Sequence, residues 1–173
     1  TLMKTRLGVD EVVTTLLLNF IVLLFVQMML EGALKDPMSM GWPQSEPIID
    51  SAVFPPLLER MRVHLGLIIA LISAIALAIF VKRTVWGFEI RAVGENAAAA
   101  RFAGISVTKT MILVAALSGG LAGLAGVAEV AGTRGYLATD LSPGYGYAGI
   151  VVAMLARLSP VGVIASALFV ASV

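Results

Sequence analysis

V-V-T-T-L-L-L-N-F-I-V-L-L-F-V-Q-M-M-L, residues Val12 to Leu30, is a 19-residue apolar run interrupted only by Thr14, Thr15, Asn19 and Gln27. At about 1.5 Å of rise per residue, a helix of that length crosses a hydrocarbon core of about 30 Å. Leu65–Val81 and Met111–Val130 are runs of the same kind. Composition points the same way: hydrophobic residues are 59% of the chain and charged ones 13%, against roughly 45–50% and 25% in a soluble domain. The expected fold is an all-α integral membrane protein, a polytopic helix bundle with about four membrane segments (12–30, 65–81, 111–130 and 148–173).

The fourth block differs from the others. Ala148–Val173 is too long and too interrupted for one simple helix, because Arg157 and Pro160 divide it into a half-length piece and a second apolar run. Proline removes a helical donor and crowds the preceding turn, so a broken or re-entrant helix is expected at Pro160. The chain begins without a cleavable signal pattern and stops inside an apolar run, which predicts a piece of a longer protein.

Lysine and arginine near the span ends set the expected orientation. The 82–110 segment carries Lys82, Arg83, Arg91, Arg101 and Lys109, and the N-terminal stub adds Lys4 and Arg6. The 31–64 segment has Lys35, Arg60 and Arg62, and Ala131–Tyr147 has Arg134, so the balance is seven against four. Basic residues stay on the cytoplasmic side, so 82–110 is expected inside and 31–64 outside. Five of the seven prolines fall in 31–64, predicting an irregular excursion with a short helix near Leu57–Arg62.

Within the expected cytoplasmic segment lies R-A-V-G-E-N-A-A-A-A-R-F-A-G-I, Arg91 to Ile105. Asn96 suits an N-cap, Ala97–Ala103 favour helix, and Gly104 suits a left-handed C-terminal closure. So short a helix is marginal in water unless something packs on it. Its small alanines allow another backbone to come close, and the segment reads as a docking helix.

Other motifs carry weaker chemistry. Leu117-Ser118-Gly119-Gly120 matches four letters of a nucleotide-contacting signature but sits inside an apolar run, so Gly119, Gly123 and Gly126 read as small-residue rows for helix packing. The chain has no G-x-x-x-x-G-K-[ST] loop. Any ATP chemistry therefore belongs to another subunit, and no cofactor is expected on this one. Thr15 and Asn19 lie one turn apart, with Gln27 two turns further on and rotated aside; they either line a pathway or bond to neighbouring helices. Glu129 and Arg157 are costly in lipid and either line a pathway or form structural pairs. His64 is the single histidine and has no second metal ligand at useful spacing, so it reads as solvated or capping. With no cysteine, no nucleophile–histidine–acid set and no paired carboxylates, catalytic and metal sites are not expected. The net charge of +1 argues against nucleic acid as a partner. A channel or secondary transporter remains open on these features alone.

G-E-N-A-A-A-A-R-F-A-G-I resembles the cytoplasmic coupling loop of bacterial ABC importer permeases, a variant of E-A-A-x-x-x-G with Ala98, Ala99, Ala100 and Gly104 in register. Ala98 stands where that pattern has an acidic residue. Gly8–Asn19, the G-G-L-A-G-L-A-G run and Gly144–Gly162 resemble the branched-chain amino acid, ribose and nucleoside permease family, and most closely its simple-sugar and nucleoside branch. The resemblance implies a partial permease domain over 1–173, corresponding to the later half of a fold of about ten spans in a bacterial inner membrane. It also implies ABC ATPase subunits that bind ATP and magnesium, a second permease subunit, identical or paralogous, and an extracytoplasmic solute-binding protein. The docking residues it implies are Glu95, Asn96, Ala98, Ala99, Ala100, Arg101 and Gly104.

Overall fold

A computed structural model describes residues 11–55, 64–142 and 144–172, with side chains from Val13 onward. The helix expected near Leu57–Arg62, and Lys4, Arg6, Arg60 and Arg62 of the charge balance, lie outside the described residues. Among the described residues seven α-helices follow in order: α1 Glu11–Glu31, α2 Leu65–Arg83, α3 Val85–Glu95, α4 Ala97–Phe102, α5 Val107–Glu129, α6 Tyr145–Leu155 and α7 Pro160–Ala171. A 3₁₀ turn lies at Asp50–Ala52 and a π turn at Val130–Arg134. The chain divides into two compact units, one holding the described parts of Thr1–Leu67 and Ala122–Pro143, the other Ile68–Leu121 with Gly144–Val173.

Among the described residues, three helical stretches are long and apolar enough to cross a membrane: Val13–Glu31, Leu65–Arg83 and Val107–Arg134. On α1, Leu16, Leu17, Leu18, Phe20 and Ile21 are all exposed, so apolar side chains point out in every direction. A helix apolar all round belongs in lipid or among other helices rather than in water. The third span begins at Val107 rather than Met111. Its first turn, V-T-K-T, is polar enough to escape a hydropathy reading, yet it is helical, with Thr110 donating both its backbone N–H and its hydroxyl to the Ser106 carbonyl at 3.0 and 3.1 Å.

The 82–110 segment is mostly helical rather than a loop. Thr84 separates α2 from α3 and caps α3, its hydroxyl accepting from Gly87 N at 3.0 Å and donating to the Phe80 carbonyl at 2.6 Å. The turn is tight enough that a Cβ on Gly87 would meet the carbonyl oxygens of Phe80 and Val81. Only glycine lets the chain reverse this closely behind α2.

The last block is broken, though Pro160 starts the second helix rather than ending the first. Proline's fixed φ suits the first helical turn, where its missing N–H is no loss. The break itself is made upstream, where Arg157 and Leu158 hold left-handed φ values of 51° and 57°. Arg157 N donates to the Met154 carbonyl and Leu158 N to the Ala153 carbonyl, both at 3.0 Å. Those two bonds are a Schellman closure. Ser159 then caps α7, its hydroxyl accepting from Gly162 N at 3.5 Å.

Candidate functional site

The residues with the strongest sequence signal meet at α3–α4. Asn96 ends one helix and starts the next: its N–H donates to the Ala92 carbonyl at 3.1 Å, and its Oδ1 accepts from both Ala98 N and Ala99 N at 3.0 Å. At the far end Gly104, at φ 84°, donates to the Arg101 carbonyl, while Ile105 N donates to the Ala100 carbonyl at 2.9 Å. The orphan groups of a six-residue helix are thus largely satisfied by its own flanks. Such a helix is a rigid presentation of a few side chains rather than a frayed loop.

What it presents is specific. Ala98, Ala99, Arg101 and Phe102 are exposed, and Phe102 is 99% exposed. Ala100 is 4% exposed, so it is removed from the residues that can meet a partner and instead seats α4. Beside α4 is a cleft of about 590 Å³ lined among others by Phe88, Arg91, Glu95 and Ala99. Small methyls at Ala98 and Ala99, a cation at Arg101 and a bare aromatic ring at Phe102 make a surface suited to a protein partner. Phe102 carries no signal by itself in the sequence; its position two residues past an alanine run in a charged segment is the available hint.

The expected pathway residues lie on several elements. Asn19 is exposed on α1, and Thr15 lies a turn before it. Gln27 donates through Nε2 to Glu31 Oε1 at 3.0 Å, a local pair one turn apart. Glu129 is half-buried at the end of α5, and Arg157 is exposed in the break between α6 and α7. Among the described residues, nothing beyond the adjoining helix backbone and chain neighbours lies within 4 Å of a Cβ built on Gly119, Gly123 or Gly126. The L-S-G-G tetrapeptide lies within α5, where no loop is available to cradle a phosphate.

His64 is a cap. Its Nδ1 accepts from Gly66 N at 3.1 Å at the start of α2, and its Nε2 lies 3.4 Å from the Thr133 hydroxyl in the π turn. The imidazole occupies the space that a Cβ on Gly66 or Gly132 would need. Among the described residues no group of three or more metal-ligating side chains is present.

The whole chain, residues 1–173, matches a family described as the permease component of the branched-chain amino acid transport system. Similar proteins include the glucose ABC transporter permease protein TsgB13 of Haloferax volcanii, 35% identical over 98% of this chain and 47% of its own length. The nucleoside ABC transporter permease protein NupB of Lactococcus lactis is 35% identical, over 96% of this chain and 48% of its own. The guanosine ABC transporter permease protein NupP of Bacillus subtilis is 34% identical, over 96% and 48% respectively. The chain spans about half the length of these curated relatives. No solved structure matches it significantly.

Proposed function

We propose, from the premise that this chain belongs to the branched-chain amino acid transport system permease family, that it is part of the membrane-spanning subunit of an ATP-driven importer. Its solute is a small polar molecule, a nucleoside or simple sugar, in keeping with the names of the relatives. It is a transport subunit rather than an enzyme; ATP and magnesium belong to ABC ATPase subunits docked on the cytoplasmic face. A second permease subunit completes the pathway, and an extracytoplasmic binding protein delivers the solute. In this reading the protein is a multi-pass component of a bacterial inner membrane, with 82–110 cytoplasmic and 31–64 external.

The observation that carries the proposal is α4, doubly capped and exposing Ala98, Ala99, Arg101 and Phe102 from a segment rich in basic residues. Closure of the ATPase dimer moves the docked helix as a rigid lever, and the lever biases the permease between inward- and outward-open states. That bias exists only because the ATPase binds the two states with different affinity. The glycine row of α5 is available in this scheme for close packing against a neighbouring helix of the assembled transporter.

ATP-driven uptake tests the proposal. The full-length chain, its ATPase and its binding protein are reconstituted in proteoliposomes and supplied with radiolabelled glucose or guanosine. Accumulation that requires ATP and the ATPase supports the importer. Uptake that runs equally well without them assigns the chain to a channel or secondary transporter.

A further inference from the structure

A second built cleft, of about 570 Å³, lies between the 42–44 stretch and the 134–140 stretch, far in sequence from α4. Its two walls are joined by backbone bonds rather than by chance proximity. Gln44 and Ala138 form an antiparallel bridge, Ser45 N donates to the Leu137 carbonyl and Leu137 N to the Ser45 hydroxyl, both at 2.9 Å, and Ile48 N donates to the Gly135 carbonyl at 2.7 Å. The wall bearing Trp42 is further held by Asp36, itself only 8% exposed. Asp36 Oδ1 accepts from Met38 N at 2.8 Å, and its carbonyl accepts from the Ser39 hydroxyl at 2.8 Å. Trp42 N donates in turn to the Ser39 carbonyl at 3.0 Å. The indole is thus presented on a fixed backbone while remaining 73% exposed.

In the same lining, Arg134 and Asp140 form an ion pair. Arg134 Nη1 donates to Asp140 Oδ1 at 2.8 Å and Nη2 to the Asp140 carbonyl at 3.1 Å, and the Asp140 side chain keeps 71% of its surface exposed. Tyr136 lines the same cleft. The pair is neutral as a unit, with two guanidinium donors engaged, so a neutral diol can add hydrogen bonds to the exposed carboxylate edge and leave it intact. A flat aromatic face suits the C–H side of a saturated ring, which presents apolar surface even in a polyhydroxylated molecule. Pockets of roughly 300–1,000 Å³ with a few convergent polar groups are the usual size for one small ligand.

We infer that this cleft is an entry subsite for a neutral ring bearing a vicinal diol, whether a monosaccharide or the ribose of a nucleoside. Trp42 is its platform and the Arg134–Asp140 pair its hydroxyl acceptor. The inference rests on the importer reading above, and it places solute selection partly on the permease.

The test measures binding of radiolabelled glucose and guanosine to the full-length chain in nanodiscs, without binding protein. Saturable binding of at least one is expected, weakened at least tenfold in Trp42→Ala and in Asp140→Asn, kept within about threefold in Trp42→Phe, and not competed by isoleucine. Binding that is absent, equally strong in Trp42→Ala, or displaced equally by isoleucine overturns the subsite. ATP-driven uptake by the same preparation, supplied with its ATPase and binding protein, separates the two readings. Uptake by the parental protein with unaltered binding in the variants removes the subsite and keeps the importer, whereas uptake that does not depend on ATP removes the importer.

Discussion

Among the described residues, the chain closes a helix with the same Schellman pattern after α4 and after α6, the first with glycine and the second without. After α4 the left-handed residue is Gly104 at φ 84°, in a segment carrying Glu95 and Arg101; after α6 it is Arg157 at φ 51°, followed by Leu158 at φ 57°, in a block that is otherwise apolar. A left-handed conformation costs a non-glycine residue roughly 1–2 kcal/mol. With glycine the closure after α4 is therefore cheap. In the apolar block the same turn holds two strained residues and a guanidinium that lipid would not solvate. The difference teaches that α4 is built to be rigid with little strain, whereas the α6–α7 break keeps a strained, charged residue where a simpler one would fold better.

The largest effect is expected from the most exposed ring. Phe102→Asp should lower recovery of the ATPase subunit with the permease at least tenfold, since truncated anchors at an interface centre typically lose 2 kcal/mol or more. Phe102→Leu should stay within about threefold. Pull-down of the assembled complex measures both, and equal recovery in the Asp variant would show that α4 meets its partner without Phe102.

The two closures give a smaller and opposite pair. Gly104→Ala should destabilise the α4 closure by about 1 kcal/mol, whereas Arg157→Gly should relax its turn by a similar amount. Thermal unfolding of the detergent-solubilised protein reads the two directions. Arg157→Gly should nonetheless reduce uptake; a variant that is both more stable and fully active would make Arg157 a dispensable residue rather than part of a pathway.

The parts legible in the sequence were those fixed by local chemistry. Val12–Leu30 and Leu65–Val81 had to be apolar over their full length, and Asn96 and Gly104 are the residue types that their backbone positions demand. The polar first turn V-T-K-T of α5 and the helix Val85–Glu95 were not legible, because hydropathy discards polar helical turns and α3 depends on a close approach to α2 at Gly87. Proline drew attention to position 160, yet the turn is made by Arg157 and Leu158, whose left-handed backbone no propensity predicts. Phe102, the His64–Thr133 approach and the Trp42 cleft depend on which side chains the fold leaves open or brings together across long separations, and spacing does not encode that.

The docking assignment is tested most directly by Ala99→Arg. Ala99 is exposed on α4 beside the cleft, and arginine is a good helix former, so α4 should persist while a long cation occupies the contact surface. The site lies outside the three apolar spans, so membrane insertion should be unaffected. In a reconstituted complex, uptake and solute-stimulated ATP hydrolysis should fall together by at least tenfold, with weaker recovery of the ATPase subunit. A variant that inserts, keeps its ATPase and transports at the parental rate would contradict the assignment of α4 as the docking surface.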